Sequence, residues 1–422
     1  MKLAFADRVK GVWSLNIWDK YALMLLFANA ISWKLVDVVF VALIITVGVT
    51  EYRNKMAGLC KLISELKWVN ILLAIILVST TLGYALAASL GGEQIDELLG
   101  FRWLISFYAC IYLGAKIDFK KVNLKIVSLV YMVVLGVGIF FQYFVWLKPG
   151  RVEGTFGNSN VFAFSVVIPW VCLLFWESLS NSRSGKSDRL LLFVLFAIAV
   201  MEFFAYGRGT WFAMSIAFIV ATIILKNRRN VLILVGGGIL SLVMFFQNIF
   251  YFKDRVIDSF NFSEGTSQGI RFILWKTNWM IFQDHPIFGI GFYENFRMLD
   301  AYYRLYGIGN PGGGASINYI NHAHNQFLQV LVGSGVVGFI GYLGLLCLGV
   351  VFFAKCYRHY LGVHKAVAFS GLGVLTVFIV TGIVDCPLLV HESRNYLLIF
   401  SGILVGFLMR SKVFGEFGEV ES

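Results

Sequence analysis

Two histidines, His322 and His324, stand two residues apart in the stretch 318–328, Asn-Tyr-Ile-Asn-His-Ala-His-Asn-Gln-Phe-Leu. That stretch closes the longest polar segment of a very apolar chain and runs straight into a hydrophobic helix expected over 330–353. Three arginines, Arg151, Arg208 and Arg271, fall in other polar breaks between apolar runs. An imidazole near its ordinary pKa can accept a proton from an attacking hydroxyl. Planar guanidinium groups grip phosphate oxygens in pairs and stabilise charge building on a leaving diphosphate. Together these groups suit transfer of a group from a lipid diphosphate to an alcohol. Other chemistries are less well served. The segment 251–323 holds no Asp-x-Asp or Glu-x-x-Glu pair and no His-x-x-x-His zinc pair. On a helix, residues two apart point to different faces, so a metal site at His322 and His324 is an open but poorly supported alternative. No Ser or Cys sits in a recognisable nucleophile elbow.

The elements that must carry these residues are membrane helices. The chain has 422 residues, 59% of them hydrophobic and 14% charged, against about 25% charged in a soluble domain. Apolar runs of spanning length recur throughout. Twelve spans are expected, roughly at 16–32, 34–50, 68–88, 102–115, 125–146, 160–176, 190–206, 211–225, 231–250, 326–353, 366–385 and 395–409, with the first two parted near Ser32-Trp33-Lys34. The predicted fold class is therefore an all-α polytopic membrane protein with about twelve transmembrane helices and a long helical outer loop. It is a single membrane domain, 1–422, with the loop at 251–323 and a tail at 411–422.

The formal charge of +11 sits in loops, which argues for a topology signal and against a nucleic-acid surface. Alternate loops carry 22 Lys and Arg on the side of the N-terminus and 12 on the other, with Lys20 inside the first span. Half of the smaller set lies in the long loop, where the positive-inside rule counts little. Both termini are thus expected in the cytoplasm and the long loop outside. No cleavable leader is expected, because charges continue to Asp19-Lys20 with no cleavage site after them. The long loop holds no cysteine, so no disulfide framework is indicated.

Taken in order, the first five spans read as packing, and the acidic turn 89–97 as a solvated loop. The segment Lys148 to Asn160, with three glycines and the amides of Asn158 and Asn160, offers either close backbone approach to an anion or an ordinary turn with a helix cap. Arg208 lies in the very short turn 205–211, where an arginine is costly unless paired, functional or snorkelling. Gly269 to Asp284 reads as an amphipathic helix with Ile270, Ile273, Leu274, Thr277 and Ile281 on one stripe. That stripe suits either the protein or the membrane interface. Pro286 ends it, Gly289-Ile290-Gly291 turns the chain, and a short helix is expected at Tyr293 to Tyr303, followed by a glycine-rich flap at 307–314. Gly333, Gly335, Gly338, Gly341 and Gly344 read as helix-packing positions. The last outer loop holds His391, Glu392 and Arg394 as minor candidates.

His324-Asn325, nine residues, Gly335, two residues and Gly338 resemble the His-Asn-x9-Gly-x-x-Gly pattern of the bacterial O-antigen ligases, within a wider ligase and polymerase superfamily. Arg151–Asn160, Gly207-Arg208-Gly209 and Arg271 through His285-Pro286-Ile287-Phe288-Gly289-Ile290-Gly291 resemble that superfamily's recurring blocks in the same order, from about residue 125 onward. The resemblance implies a membrane-embedded, GT-C-like, inverting glycosyltransferase that needs no metal or other cofactor. It would move an assembled glycan from undecaprenyl diphosphate to a sugar hydroxyl of lipid A core, on the periplasmic face of the bacterial inner membrane. By position it implies His324 as catalytic base, Arg208, Arg271 and Arg151 as diphosphate binders, and Asn325, His322 and Asn158 in support. Alternatives with the same donor are a polymerase or a protein oligosaccharyltransferase. A non-enzymatic lipid-glycan transporter would instead use intramembrane charges such as Lys20, Glu202 and Asp385.

Overall fold

The computed structural model describes residues 15–87, 103–118, 124–147, 150–156, 158–184, 189–226, 228–263, 266–292, 294, 298–299, 302–303, 305 and 322–414. Among them every regular element is helical, and the chain is an all-α polytopic membrane protein. The helices are α1 (Ile17–Ile31), α2 (Trp33–Arg53), α3 (Ala57–Glu65), α4 (Lys67–Ala87), α5 (Trp103–Lys116), α6 (Leu124–Phe140), α7 (Ser159–Ser184), α8 (Arg189–Phe204), α9 (Arg208–Leu225), α10 (Arg228–Phe246), α11 (Phe252–Asp258), α12 (Ser267–Asp284), α13 (Gln326–His359), α14 (Gly362–Val384) and α15 (His391–Phe414). Each of the twelve expected spans is a helix. Eight are long and apolar enough to cross a membrane by length and composition. The other four are α1, α5 and α8, with 15, 14 and 16 residues, and α15, whose first turn is charged. At 1.5 Å per residue, helices of that length fall short of a core about 30 Å thick.

Local sequence explains the breaks. Asn16 and Asp19 form a reciprocal cap at the start of α1, and the Asp19 carboxylate also accepts the Asp118 N–H at 3.0 Å. Ser32 is extended, φ −164° and ψ 133°, and parts α1 from α2 where the sequence places the break. α7 and α14 form the centre. About 70% of each span is buried, and their apolar residues surround the helix, as expected of a helix enclosed by others. Small residues set the tightest crossing, between α5 and α15. A methyl group added to Gly406 would lie 1.9 Å from the Ile111 carbonyl oxygen, and one added to Gly114 would lie 2.2 Å from that of Ile403. α10 is peripheral, with 6% of its span buried. A two-pronged ion pair from Arg229 to buried Glu177, at 2.6 and 2.7 Å, ties its start to α7.

α13 is two helical stretches joined at a kink, because Gly335 interrupts it at φ +59° and ψ −170°. The groups freed there are taken up by the segment that follows α12. Ile290 and Gly291 donate their N–H groups to the Val332 and Gly333 carbonyls at 3.1 and 2.9 Å, while Val336 and Val337 donate to Pro286 and Ile287 at 2.9 and 3.3 Å. The Ser79 hydroxyl, from α4, donates to the Ser334 carbonyl at 2.6 Å. Interrupted helices survive in a membrane only when protein satisfies their backbone in this way. Three glycines make the approach possible. A methyl on Gly289 would sit 2.3 Å from Val332 oxygen, on Gly335 2.2 Å from Ile287 oxygen, and on Gly83 2.2 Å from Phe288 oxygen. The expectation that this glycine run packs helices describes Gly341 and Gly344, which lie against Leu72 and Ile76 of α4. Gly335 has a different task, the break itself.

The amphipathic helix expected at 269–284 is observed as α12, and its apolar stripe meets protein. Leu274 and Ile281 are fully buried in a cluster with Ile290, Leu299, Tyr302, Tyr303 and Val332. Of the second short helix, only Glu294, Met298, Leu299, Tyr302, Tyr303 and Leu305 are described. The acidic turn 89–97, the flap at 307–314 and the end of the tail from 415 lie outside the described residues.

Gly335→Ala should lower the thermal midpoint of the detergent-solubilised protein sharply, since a left-handed non-glycine costs about 1–3 kcal/mol before the clash is counted. Gly236→Ala on α10 is the control. There an added methyl meets nothing within 4 Å, and helical alanine is favoured by about 1 kcal/mol, so the midpoint should hold or rise.

Candidate functional site

The junction between the end of α14 and the start of α13 is built from short-range polar contacts. Asn325 caps α13 by accepting the Leu328 N–H at 2.9 Å, and its amide donates to the Ile383 carbonyl at 3.0 Å. The Gln326 N–H donates to the Asp385 carbonyl at 3.0 Å, and its side-chain oxygen accepts the Leu388 N–H at 3.0 Å. Gln329, one turn into α13, reaches back. Its oxygen accepts the Ala323 N–H and its amide donates to the Phe292 carbonyl, both at 3.0 Å. These bonds hold the turn 322–325, in which His324 takes a left-handed conformation, φ +47°. Such a conformation in a non-glycine residue is costly and persists where its surroundings impose it.

Both imidazoles converge on one carboxylate. Asp385, 5% exposed, receives His322 Nε2 at 3.2 Å and His324 Nδ1 at 3.1 Å on the same Oδ1. That oxygen also accepts the Cys386 N–H at 2.8 Å. The two rings stand 4.2 Å apart. The expectation that residues two apart diverge assumed a helix. His322 and His324 lie in the turn before one, so the inference from spacing does not hold here.

The electrostatics follow from this geometry. Burial works to raise the Asp385 pKa, but the imidazole hydrogen bonds outweigh it and hold the carboxyl well below the usual range. Burial lowers the pKa of His324. Asp385 opposes that shift, while His322 and Arg271 add to it, and the net direction is down. His324 is therefore a neutral imidazole beside an ionised carboxylate. Asp385 is an acceptor only, so the proton of His324 is assigned to Nδ1 and Nε2 carries the lone pair. An acid that fixes the tautomer of a base in this way is the logic of a catalytic dyad.

Beside the dyad lies a cavity of about 300 Å³ lined by Arg151, Arg208, Arg271 and Asp385, with Asn160, Asp258 and Thr266 among its other walls. The structure thus brings together the three arginines, which come from three separate parts of the chain. Arg151 is placed by the loop 150–156. Buried Gln142, on the π-turn Phe141–Val145, donates to the Arg151 carbonyl at 2.7 Å and accepts the Glu153 and Gly154 N–H groups at 2.7 and 2.9 Å. Arg208 opens α9, and its guanidinium donates to the Ser259 hydroxyl at 3.3 Å. Glycines on either side let that turn close in. A methyl on Gly209 would lie 2.5 Å from Val384, and one on Gly207 would lie 2.9 Å from Ala163. Arg271 lies in the first turns of α12, which is capped by Thr266 accepting the Gly269 N–H at 3.0 Å. Arginines beside a helix N-terminus make an anion site. Asn158 is not in the cavity wall. Its side chain accepts the N–H groups of Asn160 and Val161 at 2.9 and 3.3 Å, a helix cap made one residue ahead of the Ser159 or Asn160 that the sequence suggested. In the last outer loop, Arg394 engages His391 at 2.7 Å and the Leu388 carbonyl at 3.3 Å, apart from the cavity.

Asp385 is the residue that sequence reasoning assigned elsewhere, to a transporter's intramembrane charges. The available signal was a carboxylate at the end of a span, which by default marks function. Its partners, 61 and 63 positions away, could not be read from spacing. His322, His324 and Asp385 are also a group, among the described residues, whose ligand atoms lie within 4.8 Å of one another and could hold a metal ion. A metal would take the same lone pairs that the hydrogen bonds use, so the two arrangements exclude each other.

Residues 191–343 match a family model described as O-antigen ligase. The match takes in Arg208, Arg271, His324, Gly335 and Gly338, and stops short of Asp385. No curated protein matches the chain.

If the arginine cavity is an anion site, inorganic pyrophosphate should bind the purified protein, and Arg208→Gln or Arg271→Gln should weaken it about tenfold or more. A hydrogen bond to a charged group is worth about 1.5–3 kcal/mol. Calorimetric titration of wild type and both variants measures this. Unchanged affinity in both would remove the cavity from the account.

Proposed function

We propose, from the match of residues 191–343 to a family model described as O-antigen ligase, that the chain is a glycosyltransferase using a polyprenyl diphosphate donor. The specific reading is ligation. An assembled glycan leaves undecaprenyl diphosphate and joins a sugar hydroxyl of lipid A core at the periplasmic face of the inner membrane. The single observation that carries it is the His324 imidazole on the Asp385 carboxylate, set beside a cavity lined by three arginines.

The proposed steps balance. The acceptor hydroxyl gives its proton to His324 Nε2 as its oxygen attacks the anomeric carbon. The bond from that carbon to the diphosphate oxygen breaks, and the electron pair leaves with the diphosphate. Attack opposite the leaving group inverts the configuration. Asp385 stabilises the imidazolium that forms and keeps its orientation. Arg208, Arg271 and Arg151 neutralise the charge growing on the diphosphate, the task a metal ion performs in other transferases. His322 shares Asp385 and Asn325 caps α13, so both support the base by position. The reading is thus metal-independent.

His324→Ala should reduce transfer by about 10²–10⁴-fold, the usual contribution of a general base, while pyrophosphate binding survives. Asp385→Asn should cost about 10–100-fold, as loss of an orienting partner does. The acid limb of kcat/KM should lie below pH 6.5, the ordinary histidine value, because the base works only unprotonated and its pKa is lowered. A limb above 6.5 would contradict that assignment. The discriminating assay offers purified protein a polyprenyl-diphosphate glycan with either lipid A core or a second donor, with and without EDTA. Product on the core in both conditions supports ligation without metal. Elongated donor would identify a polymerase, and loss of activity restored by zinc would assign His322, His324 and Asp385 to an ion.

A further inference from the structure

A larger cavity, about 590 Å³, shares no lining residue with the arginine-walled one. It is a slot between α4, α5, α13 and α15. Its walls are apolar over most of their length, with Leu73, Leu77, Leu345, Leu346, Phe352 and Leu398 among them. One end reaches Phe292 and Leu388, close to the polar junction at the start of α13. The other end is charged. Lys355 and His359 come from the last turns of α13, Lys412 from the last turn of α15, and Glu65 from the end of α3. Lys67 adds a further cation there, with its ammonium 5.6 Å from the ring of Trp68, a wall residue that is 60% exposed. Three lysines against one carboxylate leave this mouth positive.

We propose that this slot binds an anionic glycerophospholipid, with an acyl chain between the helices and the phosphate at Lys355 and Lys412. The chemistry selects that occupant. The walls are predominantly apolar and match a hydrocarbon chain better than a small polar ligand. The lysines reward a negative headgroup, and basic pockets between membrane helices on the cytoplasmic side take anionic lipids. Trp68 stands where an indole prefers to be, at the interface between tails and headgroups. The excess of Lys and Arg in the loops at this end puts the mouth at the cytoplasmic leaflet. The donor of the proposed reaction is a poor candidate, because its diphosphate belongs with the arginines and the slot's cations gather at the end away from them.

The test is lipid retention by the detergent-purified full chain, independent of any transfer assay. Native mass spectrometry and thermal unfolding are read in micelles carrying equal amounts of dioleoylphosphatidylglycerol or dioleoylphosphatidylcholine. Phosphatidylglycerol should be retained preferentially and should raise the midpoint. In the double variant Lys355→Gln/Lys412→Gln its affinity should fall about 25-fold, since each lysine near an anionic surface contributes about fivefold, and phosphatidylcholine should be unaffected. Both side chains are exposed, so the variant keeps the fold. Leu345→Trp, which fills the slot, should reduce adducts of either lipid. Equal retention of the two lipids by wild type, an unchanged preference in the lysine variant, or displacement of the adduct by a polyprenyl phosphate would each overturn the proposal.

Discussion

Backbone N–H and C=O groups at membrane depth must find partners in the protein, and this requirement organises the molecule. α13 opens at Gly335, and the exposed groups on both sides of the opening are closed by 286–291 and by Ser79. Repair works only if three backbones come within contact distance, which explains glycine at 83, 289 and 335. Once made, the repair fixes α12 against the first half of α13. Arg271, near the start of α12, and His324, just ahead of α13, are thereby tied to the same packed unit although they are 53 positions apart. A glycine-rich block thus helps set the placement of Arg271 relative to His324.

A second constraint acts at the other side of the same turn. The start of α13 is tied to the end of α14 by bonds from Asn325, Gln326 and Leu388. About two-thirds of the α14 span is buried, so its end is a well-anchored place for a carboxylate. Asp385 sits there and receives two imidazoles. The left-handed backbone at His324 is the local consequence. It turns the ring toward Asp385 and leaves the other nitrogen for a partner. The arginines approach from a loop and two helix starts, while His324 and Asp385 are held by the bonds around this junction.

Much of this was legible in the sequence, to different depths. Hydropathy located the helices, because continuous apolar runs carry that signal directly, and Ser32 parts the first two as expected. Periodicity found α12 and its stripe. What the stripe touches, protein or bilayer, is a tertiary fact, and Leu274 and Ile281 buried against Val332 answer it. Arg208 was singled out because charge is costly near membrane depth, which is a composition argument and survives folding. Asp385 carried the same signal but pointed to another reading, since its partners lie two helices away. His322 and His324 show the opposite failure. A spacing rule was applied with helical geometry to residues in a turn. Gly335 was read as a contact surface, and only coordinates reveal that its φ is positive.

The central claim is that the leaving diphosphate is held by arginines from three parts of the chain beside a histidine whose tautomer Asp385 sets. An electron cryomicroscopy structure of the full chain with a polyprenyl diphosphate bound measures this directly. The account predicts density for the diphosphate within hydrogen-bonding distance of Arg208 and Arg271, with His324 still on Asp385 and its Nε2 facing the donor's first sugar position. A diphosphate seated elsewhere, or a His324 ring turned away from both the ligand and Asp385, would contradict it.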